Sequence, residues 1–290
     1  MPLLSGGTLK DWIEAINGGE EGTESVGVRS AVSSSSISSH VDSRPSHAPD
    51  WYLQTLHGLT YLHWNGILHR DIKPGNLLLE AGGRLLQIGD FGSALLMPGP
   101  GPHPKFGNDV GAGVCTPHYS APETTMMSRS SASSDMWCVG ATFFEVVTLE
   151  SLIPMDFDFQ ELDDREVWER LLEDQLEFLQ DPCTPYPMQR VHSKASSVSD
   201  GSKNSDLRNS PRQKAFEIRD ELQDLLRLNA NDRPSAASIV SRPSNFKRIA
   251  GILAMRALPA ETFEAHTMEF QRVLQESKAA NRARDNIQFL

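Results

Sequence analysis

The stretch GILHRDIKPGNLLLE, residues 66–80, sets Asp71, Lys73 and Asn76 between two short apolar runs, residues 67–68 and 77–79. Apolar runs this short, followed by the turn signal Gly82-Gly83 and a further run at residues 85–88, read as brief strands joined by a polar loop. A carboxylate, an ammonium and a carboxamide gathered in one such loop form a candidate reactive cluster.

Ahead of the loop, Leu53, Leu56, Leu59 and Leu62 recur at near-helical spacing. They predict an amphipathic helix with Asp50 as its N-cap, ending near Gly66. Behind the loop, residues 97–113 (MPGPGPHPKFGNDVGAG) are too rich in Gly and Pro for a helix or a central strand, and read as a long loop. Helical patterns return at residues 135–149, 163–179, 213–228, 245–258 and 261–280. Two segments are too polar to supply core: residues 18–49, rich in Gly, Ser and Glu, and residues 184–212, rich in Ser. No internal repeat is present. The expected organisation is a first segment at 1–17, a flexible insertion at 18–49, a main body at 50–183, a second insertion at 184–212, the rest of the body at 213–258 and a helical tail at 259–290.

An apolar content of 39% in 290 residues supports a buried core. With 27 Lys and Arg against 38 Asp and Glu, a net charge of −11 argues against a phosphate-tracking basic surface, so nucleic acid is not expected as a partner. Cys115, Cys138 and Cys183 are too few and odd in number for a disulfide framework. A reducing compartment follows, hence an intracellular protein of cytoplasm or nucleus. No apolar run approaches the roughly 18 residues that span a bilayer, and the N-terminus lacks a signal-peptide pattern, so no membrane is expected either.

The loop is one of five motifs in a fixed order: HRDIKPGN (69–76), DFG (90–92), APE (121–123), SDMWCVG (134–140) and NDRP (231–234). Together they resemble the signature set of the eukaryotic protein kinase superfamily. The resemblance runs from Met1 to about Leu253, with the Ser-rich insertions excepted, and MPLLSGGTL (1–9) is similar to the hinge and the start of the helix beyond it. It implies a protein-kinase-like α+β fold, mainly α, comprising the large C-terminal lobe with its catalytic and activation loops, and a Ser/Thr-type kinase because Lys73 stands where it does.

The resemblance also implies the site. Asp71 would orient the substrate hydroxyl and accept its proton, and Lys73 would hold the transferred phosphate. Asn76 and Asp90 would offer hard oxygens to Mg2+ bridging the phosphates of ATP. Leu3 and Leu4 of the hinge, and Leu78, would line the adenine. Glu123 would pair with Arg233, Asp135 would brace the catalytic loop from below, His69 would stack with Phe91 beside Gly92, and Thr116 would contact Asp71. The partners implied are proteins bearing Ser or Thr hydroxyls.

Departures from the family pattern matter too. No Gly-rich phosphate loop, strand Lys or helix Glu precedes His69, so the small N-terminal lobe is expected to be absent from this chain, which would make it a truncated form of a complete kinase. A catalytically inactive kinase-like scaffold is the alternative function. Thr8 replaces the acidic residue that often binds ribose, and Cys115 stands where Gly is usual. Arg70 marks kinases whose activation loop is ordered by a phosphate, yet residues 94–115 contain no Ser, Thr or Tyr. Activity independent of loop phosphorylation is expected, with Asp109 as a standing anion.

Residues 155–181 carry eleven Asp and Glu against two Arg, a solvated helix face or a dock for basic partners. Ser210, followed by Pro211, could accept phosphate from a proline-directed kinase. The nine His show no metal-ligand spacing. In the tail, Phe263, Phe270, Val273 and Leu274 form an amphipathic face expected to pack on the main body.

Overall fold

The computed structural model describes residues 6–17, 47–97, 116–159, 164–177, 179 and 216–254, and helices carry most of these described residues. The helix α1 (Leu9–Asn17) starts at a reciprocal cap: the Thr8 hydroxyl accepts the Asp11 amide at 3.1 Å, and the Asp11 carboxylate accepts the Thr8 amide at 2.7 Å.

The long helix α2 (Ala48–Trp64) begins two residues before the expected cap. Pro49 occupies its first turn, where a missing N–H costs nothing, and Asp50 lies inside the helix, paired with Arg248. Residues 48 and 49 therefore belong to the helix and not to the polar insertion. Burial opposes ionisation of Asp50, but hydrogen bonds from His47 and Arg248 outweigh it and hold the carboxyl below its ordinary range.

Gly66, at φ +71°, turns the chain out of α2 into the first of four short strands among the described residues: β1 (Ile67–Leu68), β2 (Leu77–Leu79), β3 (Leu86–Ile88) and β4 (Leu95–Leu96). β2 and β3 form a hairpin with Leu77 opposite Ile88 and Leu79 opposite Leu86, and β1 pairs antiparallel with β4, Ile67 opposite Leu96. The sequence reading did not anticipate β4. Buried Gln54 ties the hairpin to α2, its side-chain amide donating to the Arg84 carbonyl at 3.0 Å while its oxygen accepts the Leu86 amide at 2.9 Å.

The helices that follow among the described residues are α3 (Pro122–Met127), α4 (Ala132–Thr148), α5 (Arg165–Glu177), α6 (Arg219–Leu225), α7 (Ala236–Val240) and α8 (Pro243–Ala254). α4 starts three residues before the expected 135 because Ser131 and Ser134 form a capping box. The helix expected at 213–228 is shorter: a 3-10 turn at Phe216–Ile218 leads into α6, which stops at Leu225. The expected tail helix at 261–280, with Phe263, Phe270, Val273 and Leu274, lies outside the described residues.

α4 is the central post. Fourteen of its seventeen residues are buried, as expected of a helix apolar on nearly all sides. α2 and α6 pack on it, and α2 also packs on α7, α8 and β3. Edge-to-face ring pairs tie the layers: Trp12 with Trp51, Tyr52 with Phe143 and Trp137 with Trp168, at centroid distances of 5.2, 5.4 and 5.4 Å. A Cβ on Gly140 would come within 2.9 Å of the Leu226 side chain, so α4 and the end of α6 approach at a point where no larger residue fits.

Candidate functional site

Between β1 and β2 the loop turns through a 3-10 helix at Pro74–Asn76 and folds its polar side chains onto one carboxylate. Asp71 is 8% exposed. Its Oδ1 accepts the Thr116 hydroxyl at 2.8 Å and the Thr116 amide at 3.3 Å; its Oδ2 lies 2.8 Å from Lys73 Nζ and accepts Asn76 Nδ2 at 3.0 Å. Lys73 Nζ also donates to Thr116 Oγ1 at 2.7 Å, and Asn76 Nδ2 also donates to the Asp71 carbonyl at 2.7 Å. Three residues, Thr116, Lys73 and Asn76, thus restrain one carboxylate. Asn76 directs its amide nitrogen inward, and no hydrogen bond to its Oδ1 is present among the described residues.

The loop is hung from α4. Asp135, 1% exposed, accepts the amides of His69 at 2.9 Å and Arg70 at 2.8 Å, and the His63 ring nitrogen Nε2 lies 2.8 Å from the same carboxylate. Burial opposes its ionisation, but the hydrogen bond and charge of His63 and the two backbone amides outweigh it and hold the carboxyl below its ordinary range. That grip holds Arg70 at φ +67°, a left-handed conformation that costs a non-glycine residue about 1 kcal/mol. His63 was not singled out in the sequence, because it stands six residues before His69 on a helix and its partner lies 72 residues further on.

The DFG segment meets this frame from the other side. His69 accepts the Asp71 amide on Nδ1 at 3.4 Å and faces the Gly89 carbonyl with Nε2 at 3.0 Å, a pattern that places its proton on Nε2. Its ring meets Phe91 edge to face at 5.1 Å. The Gly89 amide donates to the Asn76 carbonyl at 2.8 Å, which seats Asp90 beside the loop. Asp90 is exposed, at φ +56°, and its Oδ1 accepts the Gly92 amide at 3.1 Å. Leu78 is half-buried, bridged to Thr8 and close enough to Gly89 that a Cβ there would meet it at 2.9 Å. Leu3, Leu4 and Asp109 lie outside the described residues.

A second ion pair sits away from the cluster. Arg233 Nη1 and Nη2 reach Glu123 Oε1 and Oε2 at 2.7 and 2.8 Å; the same guanidinium donates to the carbonyls of Arg227, Leu228 and Ser133 and lies 4.9 Å from the Trp137 ring centre. On α4, Glu145 Oε2 accepts the Tyr119 hydroxyl at 2.6 Å, and burial raises the Glu145 carboxyl above its ordinary value.

Among the described residues no group of three or more His, Cys, Asp or Glu could hold a metal alone. Mg2+ bound largely through phosphate oxygens needs only one or two protein oxygens, and the Asn76 Oδ1 and Asp90 carboxylate are donors of that hard kind. In α5 the acidic residues Glu166, Glu169, Glu173, Asp174 and Glu177 are exposed while Trp168, Leu171 and Leu172 are buried, the pattern of a solvated face. No helix among the described residues is long and apolar enough to cross a membrane.

Comparison with known proteins places the chain in a family. The family profile of the protein kinase domain matches residues 24–244. The serine/threonine-protein kinase bur1 of Neurospora crassa is 40% identical over 119 residues, covering 39% of this chain and 21% of that protein. The chain thus matches about a fifth of the length of this curated relative.

Proposed function

Because the chain belongs to the protein kinase family, we propose that it transfers the γ-phosphoryl group of ATP to Ser and Thr hydroxyls of proteins. The observation that carries the reading is the interlock of Asp71 with Lys73, Asn76 and Thr116. Phosphoryl transfer asks little covalent chemistry of a protein; it asks for an aligned hydroxyl and compensated charge.

Asp71 accepts the proton of the substrate hydroxyl. Thr116 and Asn76 each take one carboxylate oxygen, so the carboxylate plane is fixed before a substrate arrives. Lys73, 2.8 Å from Asp71 and 27% exposed in its side chain, can exchange a carboxylate partner for an incoming phosphate. Asn76 and Asp90 would hold Mg2+, and Leu78 would line the adenine, the role that the family resemblance also implies for Leu3 and Leu4. Bound Mg·ATP supplies the phosphoryl group and spreads the charge that develops on it. The Ser/Thr assignment draws support from Lys73 and from the relative, a serine/threonine-protein kinase. Basic partners on the exposed acidic face of α5, and residence in cytoplasm or nucleus, belong to the same proposal.

The test is transfer of radiolabel from γ-labelled ATP, with Mg2+, to a degenerate Ser/Thr peptide library by the full chain. Wild type should label Ser and Thr, and Asp71→Asn should fall by about 10²- to 10⁴-fold. Absence of transfer by a folded wild-type chain would favour the catalytically inactive kinase-like scaffold instead.

A further inference from the structure

We propose that Arg248 is a positioning residue: by clamping Asp50, on the first turn of α2, to Glu217, it sets the β2–β3 hairpin and with it Asn76 and Asp90. The proposal takes its meaning from the kinase reading, in which those two residues would hold Mg2+, while the contacts that carry it do not depend on that reading. Arg248 Nε donates to Asp50 Oδ1 at 2.5 Å and its Nη1 to Glu217 Oε2 at 3.0 Å; His47 Nδ1 lies 4.0 Å from the other oxygen of Asp50. An isolated surface pair contributes little. Here one guanidinium joins two carboxylates from separate parts of the chain, and the Asp50 side chain is only 24% exposed. α8 does not need the clamp to stay folded, since Ile249 and Ile252 are buried beneath it.

The hairpin hangs from the turn that Arg248 fixes. The Trp51 indole donates to the Gly83 carbonyl at 2.8 Å. Gln54, one turn further on, donates to the carbonyls of Asp50 at 3.2 Å and Arg84 at 3.0 Å and accepts the Leu86 amide at 2.9 Å. Trp51 follows Asp50 and Gln54 bonds its carbonyl, so both move with it. Along its length the hairpin lies against the same helix: a Cβ on Gly58 would meet Ile88 Cδ1 at 2.8 Å. The other end of the hairpin carries the site. β2 starts directly after Asn76, β3 ends two residues before Asp90, and the Gly89 amide closes that end on the Asn76 carbonyl at 2.8 Å. Strands of three residues span about 10 Å, so a shift of the turn at residues 83–86 reaches Asn76 and Asp90 as the tilt of a short lever. Two oxygens that share Mg2+ tolerate little of it, because that ion demands near-octahedral geometry.

Hydrogen exchange followed by mass spectrometry, on the full chain without nucleotide, reads the clamp independently of turnover. Arg248→Met should speed exchange of the amides of residues 86–89 about 3- to 10-fold, with α4 amides unchanged as proof of folding, and Asp50→Asn should do the same. The double variant should exchange no faster than either single one, as two halves of one contact require. Arg248→Lys, which keeps the charge, should fall between Arg248→Met and wild type, and Arg165→Met, which removes an exposed pair in α5, should match wild type. In phosphoryl transfer to the Ser/Thr peptide library, Arg248→Met should raise the Mg2+ concentration for half-maximal rate by a similar factor, and excess Mg2+ should restore the rate. The proposal is overturned by wild-type exchange at residues 86–89 in Arg248→Met, by faster exchange that extends equally to α4, or by a loss of rate that excess Mg2+ does not restore. If even the wild-type chain transfers no phosphate, the proposed function falls, while the exchange comparison still decides the clamp.

Discussion

Two acid–base pairs in this protein use similar chemistry and are built for opposite ends. Asp71 and Lys73 meet at a single point, 2.8 Å apart, with the Lys side chain 27% exposed. Glu123 and Arg233 meet at two points, with the Arg side chain 0% exposed and its remaining donors taken by three carbonyls. Lys carries a point charge on a flexible stem, whereas Arg presents a planar fork that matches a carboxylate. In the proposed reaction the first pair trades partners when a phosphate arrives, whereas the second is closed on itself. A buried pair of the second kind is a tie between α3 and the turn before α7, and breaking one side strands a charge in the interior.

The largest effect should come from that tie. Arg233→Met leaves Glu123 buried without its partner and should cost about 3–5 kcal/mol in denaturant unfolding. A cost below about 1 kcal/mol would mean that the pair is not the tie proposed here.

Next in size is Thr116→Val, which removes one oxygen's hydroxyl partner from Asp71 and leaves the Lys73 contact with Asp71 in place. It should lower kcat about 10- to 100-fold at nearly unchanged stability, the equivalent of one hydrogen bond to a charged group. A loss confined to KM would instead assign Thr116 to substrate binding.

A smaller effect is expected in the acid limb of the stability curve. Asp135 has its folded-state pKa depressed below the ordinary value of 3.8, so its contribution is fully present above 3.8 and is lost as pH falls through the lower folded value. His63→Leu should shrink that acid-side loss, because the largest favourable partner of the carboxylate is gone. Matching acid limbs in the two proteins would remove His63 from the brace.

The smallest effect belongs to the acidic face of α5. Glu173→Gln, on an exposed position, should change stability by less than about 0.5 kcal/mol. Its use is to separate surface charge from the two clusters: weaker labelling of basic peptides, at unchanged labelling of neutral ones, would give that face a role in substrate choice.

How much of this was legible in the sequence depends on how far apart the cooperating residues lie. Asp71, Lys73 and Asn76 stand within six residues, and the motifs around them could be read directly. His63 could not, since its partner Asp135 is reached only when α2 packs on α4. β4 is two residues long and has no period to detect; it exists because residues 67–68 offer it a backbone edge. The start of α2 was misplaced by two residues because Asp50 has the chemistry of a cap, while Pro49 opens the first turn and Arg248, 198 residues away, takes the carboxylate. Ser131 and Ser134 did carry a local signal for the start of α4, but a Ser in place of Glu or Gln at the third helical position made the capping box easy to overlook.

The contrast between an exchangeable pair and a fixed one is tested most directly by measuring phosphoryl transfer and unfolding free energy side by side in Asp71→Asn and Glu123→Gln. The account predicts that Asp71→Asn abolishes most of the transfer while unfolding stays within about 1 kcal/mol of wild type, and that Glu123→Gln destabilises by about 3 kcal/mol or more. An Asp71→Asn protein that transfers phosphate at the wild-type rate, or that unfolds as readily as Glu123→Gln, would contradict it.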